Sequence, residues 1–64
     1  MDGKLWMRYV SVFDTHENKY VSQTNQLIIE LEMLEQADGD KAFCKKLKEL
    51  TQGDLHMEIK YQKE

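Results

Sequence analysis

The chain has 64 residues, 41% hydrophobic and 33% charged, with a formal net charge of −3. That length holds one domain. A lone cysteine excludes an internal disulfide, and the absence of proline argues against a disordered or polyproline segment. No apolar run approaches the ~18 residues of a membrane span. The start, Met1-Asp2-Gly3-Lys4, lacks the basic and apolar lead of a signal peptide. A cytoplasmic location is therefore expected.

A chain this short buries only about 60% of its unfolded surface and needs a further stabiliser. With no disulfide and no Cys/His cluster for structural zinc, self-association is the remaining route.

Residues Lys4 to Phe13 are aromatic and β-branched without glycine or proline, which predicts a strand. One side shows Leu5, Met7, Tyr9, Ser11 and Phe13, the other Trp6, Arg8, Val10 and Val12. Neither side is polar, so the strand is expected in the middle of its sheet. Asp14 to Asn18 reads as a turn and residues 19–22 as a short return strand, giving a β-hairpin over 3–22.

The spacing of Leu27, Ile28, Leu31 and Leu34 predicts a helix over 24–38, capped by Ser22, Thr24 or Asn25. Ile29 and Met33 fall on its other side. Ala37-Asp38-Gly39 reads as its end, and Asp40 as the cap of a second helix over 40–51 with an apolar arc of Phe43, Leu47 and Leu50. Gly53 follows as a stop. Residues 54–62 alternate cleanly, with Leu55, Met57, Ile59 and Tyr61 inward and His56, Glu58 and Lys60 outward, as a strand with one solvated face does. The expected fold is α+β, in the order β-β-α-α-β, with both helices on one face of a three-stranded sheet, and the whole chain (1–64) is one domain.

Few residues invite chemistry. His16 lies between Asp14 and Glu17, but that spacing matches no metal site, and a solvated turn histidine accounts for it. His56 reads as a member of a surface cross-strand pair. Cys44 stands near lysines and near a helix start, which can lower a thiol pKa, yet it borders the apolar arc, where cysteine packs as a small hydrophobe. No phosphate loop, nucleophile elbow or metalloprotease signature is present. The chain is expected not to be an enzyme and to take no cofactor, metal or small-molecule substrate.

Charge is unevenly distributed. Residues 24–40 carry Glu30, Glu32, Glu35, Asp38 and Asp40 with no basic residue, whereas residues 41–50 carry Lys41, Lys45, Lys46 and Lys48 against Glu49. The lysines could meet a phosphate backbone, though a solvated helix face explains them as well, and Arg8 is the sole arginine for base edges.

The surplus of apolar surface is more telling. One core layer cannot cover both sides of the first strand and both sides of the first helix. Trp6, Arg8, Val10 and Val12, with Ile29 and Met33, are therefore the expected contact surface of a small interaction or regulatory module that self-associates as a dimer, binds a protein partner, or both. Two alternatives are a nucleic-acid-binding factor using Lys41, Lys45, Lys46 and Lys48, and a phage or mobile-element accessory protein that inhibits a host protein. No membrane contact is expected.

Overall fold

Leu5–Asp14 (β1) and Lys19–Ile29 (β2) form an antiparallel hairpin paired along its length, from Leu5 opposite Ile29 to Asp14 opposite Lys19. The turn is fixed locally. The Asp14 carboxylate accepts the backbone N–H groups of His16 and Glu17 at 2.8 and 3.1 Å, and Asn18 takes a positive φ of 58°. Val12 faces Ser22 and Phe13 faces Tyr20, so Val21 is an extra bulge residue. The computed structural model describes residues 4–64; the leader reading at residues 1–3 and the first residue of the expected hairpin lie outside them.

The expected helix over 24–38 is corrected here. Residues 24–29 continue β2, and the chain turns helical only at Glu30. A ten-residue β1 offers backbone partners along its full length, and β2 takes them. Thr24, Ile28 and Ile29 are β-branched and suit the pleat. The backbone N–H of Glu30 donates to the Lys4 carbonyl at 2.7 Å, which pins the change of direction beside the start of β1.

The two-helix expectation is corrected as well. Among the described residues there is one helix, Glu30–Leu50 (α1), running unbroken through Gly39. The order is therefore β-β-α-β, not β-β-α-α-β. Gly39 costs about 1 kcal/mol of helix propensity but is exposed and touches nothing. Asp40 does not cap a second helix, because its carboxylate is engaged by Arg8 from the sheet.

Length explains the outcome. Twenty-one helical residues cover about 31 Å, close to the ~33 Å of a ten-residue strand. A single helix thus carries the chain from one end of the sheet to the other. At its far end Gln52 N–H donates to Glu49 O (3.1 Å) and Gly53 N–H to Lys48 O (2.9 Å), with Gln52 and Gly53 at φ 55° and 85°. This is a Schellman stop with Gln52, not glycine, in the left-handed position.

Leu55–Lys63 (β3) then pairs antiparallel with β1. The sheet order is β2-β1-β3, with β1 in the centre, as its two apolar sides require. The loop after α1 and the hairpin turn are tied together: Thr15 donates from its N–H to Asp54 O and from Oγ1 to Gly53 O, both at 2.9 Å.

The side of the sheet that the helix covers is the reverse of the expected one. Trp6 and Arg8 bond to α1, and Val10 and Val12 share their side, as do the cross-strand partners of the four, Ile28, Tyr61, Ile59 and Met57. Leu5, Met7, Tyr9, Ser11 and Phe13 point the other way. On α1 the sheet-facing row is Met33, Ala37, Asp40, Cys44 and Leu47, continued by Thr51 just past its end, all buried or half-buried, while Leu31, Leu34, Phe43 and Leu50 are exposed. Among the described residues only Ile28 (3% exposed) and Met33 (9%) are buried.

The result is a slab of 45 × 20 × 11 Å with a radius of gyration of 13.2 Å. A globular chain of this length is expected near 11 Å.

Candidate functional site: the open face of the sheet

Alternation along three strands places the uncovered side chains together. Leu5, Met7, Tyr9, Ser11 and Phe13 come from β1, Tyr20, Gln23, Asn25, Leu27 and Ile29 from β2, and His56, Glu58, Lys60 and Gln62 from β3. Leu5 pairs with Ile29 and Met7 with Leu27 at one end, making an apolar cluster in which Leu27 is 54% exposed. At the other end the rings of Phe13 and Tyr20 meet edge to face, with centroids 5.1 Å apart. Between them lies a shallow dish of about 440 Å³ walled by Tyr9, Ser11, Tyr20, Gln23, Asn25, Glu58 and Lys60. Among the described residues, the ten large hydrophobic ones that stand exposed include five on this face: Leu5, Tyr9, Tyr20, Leu27 and Ile29.

The opposite side is closed by a polar clamp. Arg8 donates from Nε and Nη2 to the two carboxylate oxygens of Asp40 at 2.9 and 3.0 Å, and the Tyr61 hydroxyl donates to the same carboxylate. The side chains of Arg8 and Asp40 are only 19% and 16% exposed. Hydrogen bonding to Asp40 raises the pKa of Arg8, and the guanidinium holds the Asp40 carboxyl below its ordinary value. Burial, and then the bond to Asp40, pushes the Tyr61 phenol up. Nearby, Trp6 Nε1 donates to Glu30 at 3.2 Å.

The residues singled out from sequence are thus dispersed. Trp6, Arg8, Val10 and Val12 are half-buried beneath α1; Met33 is buried against the sheet; Ile29 stands on the open face. Helical spacing puts Lys41, Lys45 and Lys48 on one exposed flank, interrupted by Asp38, with Lys46 further round. Cys44 is half-buried between α1 and β3, and burial followed by the nearby Asp40 charge raises its pKa, the wrong direction for a nucleophile. His16 meets Asp54 at 2.8 Å on the surface.

Sequence reasoning missed the open face because it seated the helices on that side. The signal available was Arg8, the sole charge along β1 before Asp14. A lone charge of this kind on a central strand marks the side where an acidic helix can answer it.

Among the described residues no helix is long and apolar enough to cross a membrane. No family model matches the chain, and comparison with curated proteins and with solved structures finds no match.

Proposed function

We propose that this chain is a non-enzymatic protein-interaction module whose working surface is the open face of the sheet. The observation that supports this most is the imbalance of burial. Only Ile28 and Met33 are buried among the described residues, while Leu5, Tyr9, Tyr20, Leu27 and Ile29 stand exposed on one side of one sheet. Exposed apolar clusters, here one at each end of the face around a polar-walled dish, are a mark of contact surfaces. Its composition also fits a contact surface, with tyrosine, phenylalanine and methionine grouped and the polar groups of β3 along one margin. The raised thiol pKa of Cys44 gives no support to a nucleophilic enzyme.

Acetylation of the tyrosine hydroxyls tests the reading, with Tyr9 and Tyr20 followed by mass spectrometry. Both should react in dilute pure protein and be protected either at high protein concentration or in extract from the source cells. Full reactivity in all three conditions removes the proposal.

A further inference from the structure

We propose that the outer edge of β2 accepts an extended, uncharged segment of a partner protein as a fourth strand, joined through backbone hydrogen bonds at Gln23, Asn25 and Leu27. This rests on the reading of the chain as an interaction module and names how that module holds its partner.

The register shows which backbone groups are free. Glu30 N–H donates to Lys4 O, which makes these two a hydrogen-bonded pair, and in an antiparallel ladder such pairs recur at every second residue. Trp6 with Ile28, Arg8 with Gln26 and Val10 with Thr24 follow. The residues between them on β2, Gln23, Asn25 and Leu27, turn their N–H and C=O groups away from β1. The other edge of β1 agrees: Leu5 O accepts from Glu64 N–H at 3.0 Å, so the alternate residues of β1 bond to β3. Among the described residues no further strand lies beside β2. Donors and acceptors repeated at strand spacing match one kind of ligand, another polypeptide backbone.

The two edges of the sheet are not equivalent. On β3, Leu55 N–H is taken by Thr51 Oγ1 at 3.2 Å, and Leu55, Met57, Ile59 and Tyr61 are half-buried on the helix side. His56, Glu58, Lys60 and Lys63 also set charge along that strand. Charges, prolines and bulges are the devices that keep an edge from pairing. β2 has its bulge at the hairpin end, and none of residues 20–29 is charged or proline. Nor does the helix shield this edge, since Ser22, Thr24 and Gln26 are exposed on the side that α1 covers elsewhere.

The same residues define the partner. An edge without charge offers no ion pair to a charged segment. On the open face its side chains run from Gln23 and Asn25 to Leu27 and Ile29, so the incoming strand is polar at one end and apolar at the other.

Backbone amide exchange, followed by nuclear magnetic resonance, tests the inference. The probe is a capped peptide of about eight residues that alternates valine with threonine between terminal lysines. In the protein alone, the amides of Gln23, Asn25 and Leu27 should exchange fast, and those of Thr24, Gln26 and Ile28 slowly. Millimolar peptide should slow the first set at least about fivefold. Asn25→Pro removes only a free N–H and leaves the ladder to β1 whole, so it should fold and yet weaken peptide binding at least about tenfold. Circular dichroism checks the fold, and Gln23→Pro decides if Asn25→Pro is unfolded. In wild type, the peptide N-methylated through its middle should not bind.

Edge amides that exchange equally fast with and without peptide overturn the inference; if extract still protects Tyr9 and Tyr20, the open-face reading survives that failure. Binding left unchanged by N-methylation or by a folded proline variant also overturns it, because side chains rather than the backbone edge then hold the peptide. Slowing in the protein alone that grows with its concentration means that β2 pairs with its own copy, and a partner segment is then the wrong occupant.

Discussion

Arg8 at the centre of β1 and Asp40 at the middle of α1, 32 residues apart, are joined by two parallel hydrogen bonds of 2.9 and 3.0 Å. The pair fixes the rotation of the helix on the sheet, since Asp40 must point inward for the bridge to close. Tyr61 on β3 donates to the same carboxylate, so one side chain connects the helix with both strands beneath it.

Removing one partner leaves the other half-buried and unpaired. Asp40→Ala is expected to destabilise the fold by about 2 kcal/mol, at the lower side of values for buried pairs because the site is partly exposed. Thermal unfolding at fixed protein concentration reads this as a fall of roughly 10 °C. The double variant Arg8→Met/Asp40→Leu should recover most of the loss. A double variant as unstable as Asp40→Ala would show that packing around the pair, not the stranded charge, sets the cost.

Acid should act on the same pair. Asp40 has its folded pKa lowered by Arg8, so the unfolded chain takes up its proton first as pH falls. The stabilisation is complete above the unfolded carboxylate value, near pH 4, and is lost as pH falls through the lower folded value. Denaturant midpoints measured from pH 7 down to pH 2 should show this loss in wild type and a shallower one in Asp40→Asn. Parallel curves would mean that other carboxylates carry the acid sensitivity.

Two changes at the helix should stabilise the fold for different reasons. A Cβ at Gly39 meets nothing within 4 Å, so Gly39→Ala is expected to add about 0.5–1 kcal/mol. Gln52 holds φ 55° at the helix stop, and Gln52→Gly should relieve a conformation that side chains resist, by about 1 kcal/mol. By contrast, Gly53→Ala, at φ 85°, should destabilise. Urea unfolding checks all three, and a stabilising Gly53→Ala would contradict the helix ending described.

Cys44 should be slow toward thiol reagents in the folded protein. Its raised pKa lowers the thiolate fraction near pH 8, and its place between α1 and β3 limits access. The native rate against a disulfide reagent is expected to lie well below that in denaturant. A faster native rate would revive the thiol as a reactive group.

Much of this fold could be read locally. The alternation of β3 and the turn chemistry of Asp14 and Asn18 are written in neighbouring residues, and each depends on little else. The end of β2 was not legible. Leu27, Ile28, Leu31 and Leu34 fit helical spacing, and only the length of β1, twenty residues earlier in the chain, decides that 24–29 is strand. Asp38-Gly39-Asp40 reads as a break for a similar reason: the residue that commits Asp40 to the helix interior is Arg8 on another strand. The covered side of the sheet hung on a single residue: both sides of β1 are apolar, and only the charge of Arg8 distinguishes the side that meets α1.

The helix that spans the sheet from end to end also orders the assembly of the chain. Hairpin contacts join neighbouring segments, whereas β3 pairs with β1 across nearly the whole chain, so contact order predicts that β3 docks last, after α1 has formed. Closing so long a loop costs chain entropy before its contacts form, and the docking of β3 is therefore the step expected to set the folding time. Until it docks, β1 presents an unpaired edge, and crowded nascent chains can trade third strands with one another.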